Sequence, residues 1–463
     1  MDTENLSLLD KVPLATSAWL LWDRCFPEEA LNDFYAAHRG RSYERAFSFA
    51  DLVYLVSDAL CQHGGRAAQT LARHKATEQC PASVQAFYGK LRRLPIPLSE
   101  AFLAESTDRL RSWLPARLLT QPPTSLRHFR ILVFDGKTFK HAAKRLKAAR
   151  THAGAGLGGR ALVAMELTTG LIVGMAADPD AHVNEAKLVP QLLPRIRQHV
   201  AGPRLWVADR GFGDLAQVRR CTAEGDHCVL RMHKKSQFTP ETTSAVRRGV
   251  DRLGRAWVDE IGTLHSRRQG SMRMRRITLS REGQPPLVIL TDLLDADSYP
   301  ANDLLELYRQ RWDIEQVFQQ VSEVFHLSHL IGSSPEAIIF QGALCMTLYN
   351  LLLVVRSTVA DSQDRAPATV SAFNLFYDLN RELIVLHHVL TPAQVLQALR
   401  DRAAAIPDLG RYLQETLKAA WTDRWVKSPP KKRHGKPVKH KKGGAGHFSI
   451  HRARLESEKA EDV

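Results

Sequence analysis

The spacing of apolar and polar positions changes character several times along the chain. Up to about residue 125 the apolar residues recur at helical intervals, as in Ser48–Cys61 and Ala82–Arg93, and Gln121-Pro-Pro-Thr-Ser125 then reads as a linker. Short β-rich runs follow: Phe129–Asp135, Arg160–Leu167, Leu171–Ala176, Arg204–Asp209 and His227–Arg231. Thr168-Thr-Gly170 predicts a hairpin between the second and third of these. Asn184–Val200 and Asp214–Glu224 predict helices between the later ones, with Pro190 and Pro194 breaking or kinking the first. The predicted order is β-β-β-α-β-α-β. The runs Met272–Leu279 and Pro286–Thr291 then predict strands of a β-rich insertion with many arginines. Helical spacing returns in Tyr308–Glu315, Glu336–Val355 and Ala393–Arg400. Lys427–Gly444 is almost free of apolar residues, which predicts a disordered basic tail.

These elements predict a mixed α/β fold in which a mixed sheet is flanked by helices. The expected units are a helical domain over 1–125, a core over 126–231 and 298–400, and a β-rich insertion over 232–297. A helical segment over 401–426 and the tail over 427–463 complete the chain.

Composition narrows the partner. A net charge of +15 favours a polyanion, nucleic acid before membrane. The basic tail could add unspecific phosphate contacts or be a solvated segment with no dedicated partner. Cys25, Cys61, Cys80, Cys221, Cys228 and Cys345 are scattered and form no CxxC pair, so neither a zinc finger nor a disulfide framework is indicated. A reducing, cytoplasmic setting is expected, and the N-terminus lacks the basic and apolar regions of a signal peptide. The apolar run Ala343–Val355 falls short of the roughly 20 residues that span a bilayer and carries Asn350; it reads as a buried helix.

The candidate chemistry lies in three carboxylates. At about 3.6 residues per turn, Tyr308, Arg311 and Glu315 share one face of a helix, while Glu306 and Asp313 point away. Asp135 and Asp209 each stand where a strand is predicted to end. An Asp after a strand can be a turn former or an N-cap, so each acid alone reads as structural. Their order, strand-Asp, strand-Asp, helix-Glu, favours catalysis. Two divalent ions about 4 Å apart need such converging carboxylates to cleave nucleic acid. Hard ions such as Mg²⁺ take oxygen ligands.

These residues resemble the IS4-type DDE transposases. The resemblance rests on Phe134-Asp135-Gly136, on Ala208-Asp209-Arg210-Gly211-Phe212 and on Tyr308-x-x-Arg311-x-x-x-Glu315, and spans about residues 85 to 400. It implies a ribonuclease H-like core with Asp135, Asp209 and Glu315 as metal-binding catalytic acids. It implies two Mg²⁺ or Mn²⁺ ions, and contacts from Tyr308, Arg311 and Arg231 to the DNA end. The partners implied are double-stranded DNA, as terminal inverted repeats bound by the N-terminal helices and as target, and a second copy of the chain when ends are held. The family's signature continues with a lysine seven positions after the Glu, where this chain has Ser322. Ser322 stays on the active face and could offer a hydroxyl to phosphate; Gln319 lies on the same face. The alternatives are a metal-dependent nuclease of the same fold and an inactive DNA-binding protein derived from a transposase.

Other motifs carry less. Gly154–Gly159 contains GxGxxG but precedes a strand, so it reads as a flexible connection, not a dinucleotide site. Gly136-Lys137-Thr138 recurs in P-loops, but Ile131 stands where that motif needs Gly. Lys137, Lys140, Lys144, Arg145, Lys147 and Arg150 either line a DNA path or form a solvated face. His326 and His329 read as satisfied or exposed histidines. Trp312 reads as core, and Trp257 is the better candidate for base stacking.

Overall fold

A computed structural model describes residues 3–40, 47–62, 66–76, 83–117, 119–140, 142–325, 330–428 and 446–461. Cys80, His326, His329 and the basic run 429–445 lie outside the described residues.

The N-terminal helical spacing resolves into α1 (Thr3–Lys11), α2 (Pro13–Cys25), α3 (Glu28–His38), α4 (Phe49–Gln62), α5 (Ala67–Ala76), α6 (Val84–Arg92) and α7 (Ile96–Arg111). Helix α4 shows why these positions fold as they do. Phe49, Leu52, Val53, Val56, Ala59 and Leu60 are buried along one stripe. At its start Ser48 and Asp51 cap each other reciprocally: Asp51 accepts from the Ser48 hydroxyl, and the Ser48 hydroxyl accepts from the Asp51 N–H.

The strand series follows as β1 (Arg130–Thr138), α8 (Lys147–Arg150), β2 (Ala155–Leu157), β3 (Arg160–Glu166), β4 (Ile172–Asp178), α9 (Val189–His199), β5 (Arg204–Ala208), α10 (Leu215–Cys221) and β6 (His227–Arg231). The sheet runs β4-β3-β1-β5-β6, with β3 antiparallel to β1 and with β5 and β6 parallel to it. This is the ribonuclease H-like order, and β1, β3, β4, α9, β5, α10, β6 reproduce the predicted succession. One boundary differs. Strand β1 does not end on Asp135 but pairs with β3 as far as Thr138, while its pairing with β5 stops at Val133.

The insertion contributes β7 (Gln237–Pro240), β8 (Arg247–Val250), β9 (Ala256–Ser266), β10 (Gly270–Arg281) and β11 (Gln284–Thr291). It continues the core sheet, because β11 pairs antiparallel with β6 and the order runs on as β6-β11-β10-β9-β7. Then come α11 (Ala301–Gln310), α12 (Asp313–Val324), α13 (Pro335–Ser362), α14 (Ala372–Val389), α15 (Pro392–Ala404) and α16 (Leu409–Ala419). Helix α13 contains the apolar run and is long and apolar enough to cross a membrane, but its most apolar window is 100% buried within the protein. It is the central core helix.

Polar side chains from the helices close the free edge of β4, where unpaired backbone groups would otherwise invite another strand. Asn350 accepts from the Ile172 N–H and donates to the Ile172 carbonyl, each at 2.9 Å. Glu100 of α7 accepts from the Ala177 N–H at 2.7 Å, and Arg195 of α9 donates to the Met175 carbonyl. The N-terminal helices thus share one apolar core with the sheet and α13.

The end of the chain corrects the expected disordered tail. Residues His447–Ser449 form β12, which pairs parallel with β2, and Ile450–Glu461 form α17. Arg452 of α17 holds Asp180 at 2.8 Å. The glycine-rich stretch before β3 is therefore an ordered strand, not a loose connection. Beyond it Gly158 passes so close to Ile338 of α13 that a side chain there would collide.

Candidate active site

Sheet register sets the first three side chains. Val133 pairs with Val207, and Ala208 with Leu230. Two steps past Val207 and one step past Ala208, Asp135, Asp209 and Arg231 fall at one level on three neighbouring parallel strands. Side chains alternate along a strand, so all three project from the same face. Arg231 reaches Asp209 at 3.5 Å.

The fourth and fifth groups come from the segment that crosses this face. The single predicted helix Tyr308–Glu315 is two helices, α11 and α12. Between them the backbone stays right-handed, but Arg311 and Trp312 bond to carbonyls only three residues back, at 3.2 and 3.4 Å. That tightened turn keeps Tyr308, Arg311 and Glu315 turned towards the sheet. The Tyr308 hydroxyl donates to Asp209 at 3.1 Å. Arg311, 3% exposed, lies 3.2 Å from Glu315 and 3.8 Å from Asp135. Its Nε and Nη1 are buried and have no hydrogen-bond partner.

The two aspartates differ electrostatically. Burial pushes the Asp135 carboxyl up to about 6, and the charges of Glu185 and Glu315 add to this against the Gly136 N–H and Arg311. Burial also opposes charge on Asp209, but the Arg210 N–H, Arg311, the Tyr308 hydroxyl and Arg231 hold it below the usual carboxylate range. Desolvation lowers Lys137, on β1 two residues past Asp135, with Lys140 adding to the effect.

All three acids are hard oxygen donors that suit a divalent ion such as Mg²⁺. Among the described residues no three His, Cys, Asp or Glu side chains already stand together as a metal-holding group. The guanidinium of Arg311 lies between the carboxylates in their place. The donor chemistry fits a metal, provided Arg311 yields.

The remaining sequence candidates divide. Lys137 donates to the Ser322 hydroxyl at 2.9 Å, so these two stand together beside Asp135. Gln319 is exposed and turned to Glu323. The histidine pair falls outside the described residues. Lys140, Lys144, Arg145, Lys147 and Arg150 are all exposed. Trp312 is not core: it is 54% exposed beside Arg311, because the turn between the helices rotates it outwards. Trp257 is half-buried, and its Nε1 donates to Asn302.

Two contributors escaped the sequence reading. A Cβ at Gly136 would overlap the Glu185 carboxylate, so the glycine admits this extra acid near Asp135. A Cβ at Gly213 would overlap the Arg231 carbonyl, so this glycine lets the segment after Asp209 lie against β6. Within Asp209–Gly213 it is Gly213 and not Gly211 that the packing requires, and a glycine beside a candidate acid was the only signal. The site opens onto a groove between the insertion and α11, lined by Arg231, Arg252, Arg255, Arg281, Arg309 and Arg311 and also by Asp251, Asp303 and Glu306, of which Asp251 pairs with Arg255 and Glu306 with Arg252 and Arg309.

Residues 127–351 match the family model described as the transposase DDE domain. Among solved structures, the cryo-electron-microscopy synaptic complex of piggyBac transposase with hairpin DNA is similar at 12% identity and a TM-score of 0.41, covering 90% of this chain and 87% of that one. A likeness that distant has no bearing on function. No curated protein sequence matches the chain.

Proposed function

We propose, from the match of residues 127–351 to the transposase DDE domain, a DNA transposase of the IS4 type that cuts at the ends of its element and joins the exposed 3′-OH to target DNA. One observation carries this reading. Asp135 and Asp209 stand at one level on neighbouring strands, and a buried arginine ties Asp135 to Glu315.

Asp135, Asp209 and Glu315 would hold two divalent ions, Mg²⁺ or Mn²⁺, which activate the attacking oxygen and stabilise the leaving one. The chain's own residues prepare that chemistry. Tyr308 and Arg231 fix Asp209. Arg311 offsets the charge of Asp135 and Glu315. Its two unpaired buried nitrogens are donors for a phosphate oxygen once it turns from Glu315. The arginine-lined groove guides the duplex, and the unbalanced charge of +15 supplies the long-range attraction. We assign recognition of the terminal inverted repeats to the N-terminal helices. We also assign a second copy of the chain to the paired ends.

The assay that separates transposition from plain hydrolysis supplies duplexes with pre-cut 3′-OH ends, a supercoiled plasmid and Mg²⁺. Covalent joining of the duplex to the plasmid is expected. Cutting without joining would reduce the reading to a nuclease.

A further inference from the structure

The face that carries Asp135 holds a second, unused cation. Lys137 lies two residues further along β1 and therefore projects on the same side. Its Nζ donates to the Ser322 hydroxyl at 2.9 Å and approaches the Phe318 carbonyl at 3.4 Å. The Phe318 ring lies 5.3 Å away. Ser322 donates its own proton to the Phe318 carbonyl at 2.7 Å, which leaves its hydroxyl oxygen as an acceptor for the lysine. Phe318 and Ser322 sit on α12, which carries Glu315 at its start.

Among the described residues, the two arginines against the three acids are both paired. Arg311 faces Glu315 and Asp135, and Arg231 faces Asp209. Lys137 has no described carboxylate within ion-pair distance. A half-buried ammonium with only neutral oxygens for partners costs free energy that the fold does not return. It makes sense as half of a contact. An anion bound to the carboxylate-lined face would complete it, and DNA presents phosphate oxygens there.

We propose that Lys137, positioned by Ser322, is a phosphate-binding residue of the active site, gripping the DNA backbone next to the phosphate that the three acids address. The strand-borne lysine and the helix-borne hydroxyl together place one positive charge over this part of α12. This assignment rests on the transposase reading. It concerns how the end is held, not whether the acids cut.

The test uses the full chain and a labelled duplex taken from the DNA that flanks the coding sequence. Binding is measured over a salt series for wild type, Lys137→Met and the double variant Lys137→Met with Ser322→Lys. Loss of one phosphate contact lowers the slope of log affinity against log salt by about 0.9. The advantage of wild type over Lys137→Met should therefore shrink about three- to fourfold between roughly 50 and 200 mM salt. The double variant returns a cation to the same place from the helix and should recover the wild-type slope. A purely structural lysine would lower the thermal midpoint of Lys137→Met and leave the slope unchanged, and that result would overturn the assignment. Failure of the double variant to recover the slope would overturn it too. If wild type still cuts DNA with Mg²⁺ in either case, the transposase reading survives alone; if wild type neither binds nor cuts, both fall.

Discussion

Asp135 is the residue at which folding and chemistry pull hardest against each other. Its carboxyl is raised from 3.8 to about 6, chiefly by burial. Between those values the folded chain holds a proton that the unfolded chain has released, so stability falls as pH rises through this window. The penalty at neutral pH is roughly 2–3 kcal/mol. Asp135→Asn keeps an acceptor for the Gly136 N–H and carries no charge. In a metal-free buffer it should melt several degrees above wild type at pH 7, with the gap closing as pH approaches 4. Thermal unfolding across pH checks this, and an Asn variant that melts no higher at pH 7 would mean that Arg311 already compensates the acid fully. The three acids were legible in the sequence because each sits at a position set by local periodicity. Arg311 between them was legible only as a neighbour on a helix face. Its central place depends on how far α11 and α12 lean over the sheet, which periodicity does not encode. The tightened turn between them set Trp312 outwards, contrary to its expected burial.

At the level of elements, the strand series was readable because each run alternates or is continuously apolar and ends on a turn signal. The break between α11 and α12 was not, because Arg311 and Trp312 are ordinary helix residues and no Gly or Pro marks them. The ordered end of the chain was hidden for a related reason. Strand β12 is short and polar, and only its partner β2 makes it a strand. Asn350 is the opposite case, visible as a polar interruption in an apolar helix but without a stated purpose. The structure supplies one: it satisfies both backbone groups of Ile172 at the edge of β4. Asn350→Leu preserves size and strands the buried Ile172 N–H, while the Ile172 carbonyl keeps the Thr107 hydroxyl. It should cost roughly 1–3 kcal/mol for that unpaired group. Chemical denaturation measures this, and a loss below about 1 kcal/mol would show that the edge finds other partners.

Taken whole, the molecule places Asp135, Asp209 and Glu315 beside a groove in which six arginines outnumber three acids, in a chain with a net charge of +15. The insertion does not stand apart from the core sheet. It prolongs it from β6 outwards, so the groove's walls are fixed relative to Asp209 and Arg231. The charge was plain in the sequence, but its collection along one groove was not, because those arginines come from segments far apart in the chain. In the proposed chemistry the acids serve cleavage and the arginines serve binding, and Glu315 is where the two separate. Glu315→Gln removes one carboxylate charge and keeps the side chain's length. The decisive measurement is Mg²⁺-dependent cleavage and, in parallel, binding of the same flanking-DNA duplex by wild type and this variant. The account predicts cleavage reduced by at least about a hundredfold, in line with the loss of a group that stabilises a transition state. It predicts binding within a few-fold of wild type. Cleavage that persists in Glu315→Gln, or binding that falls in step with cleavage, would contradict it.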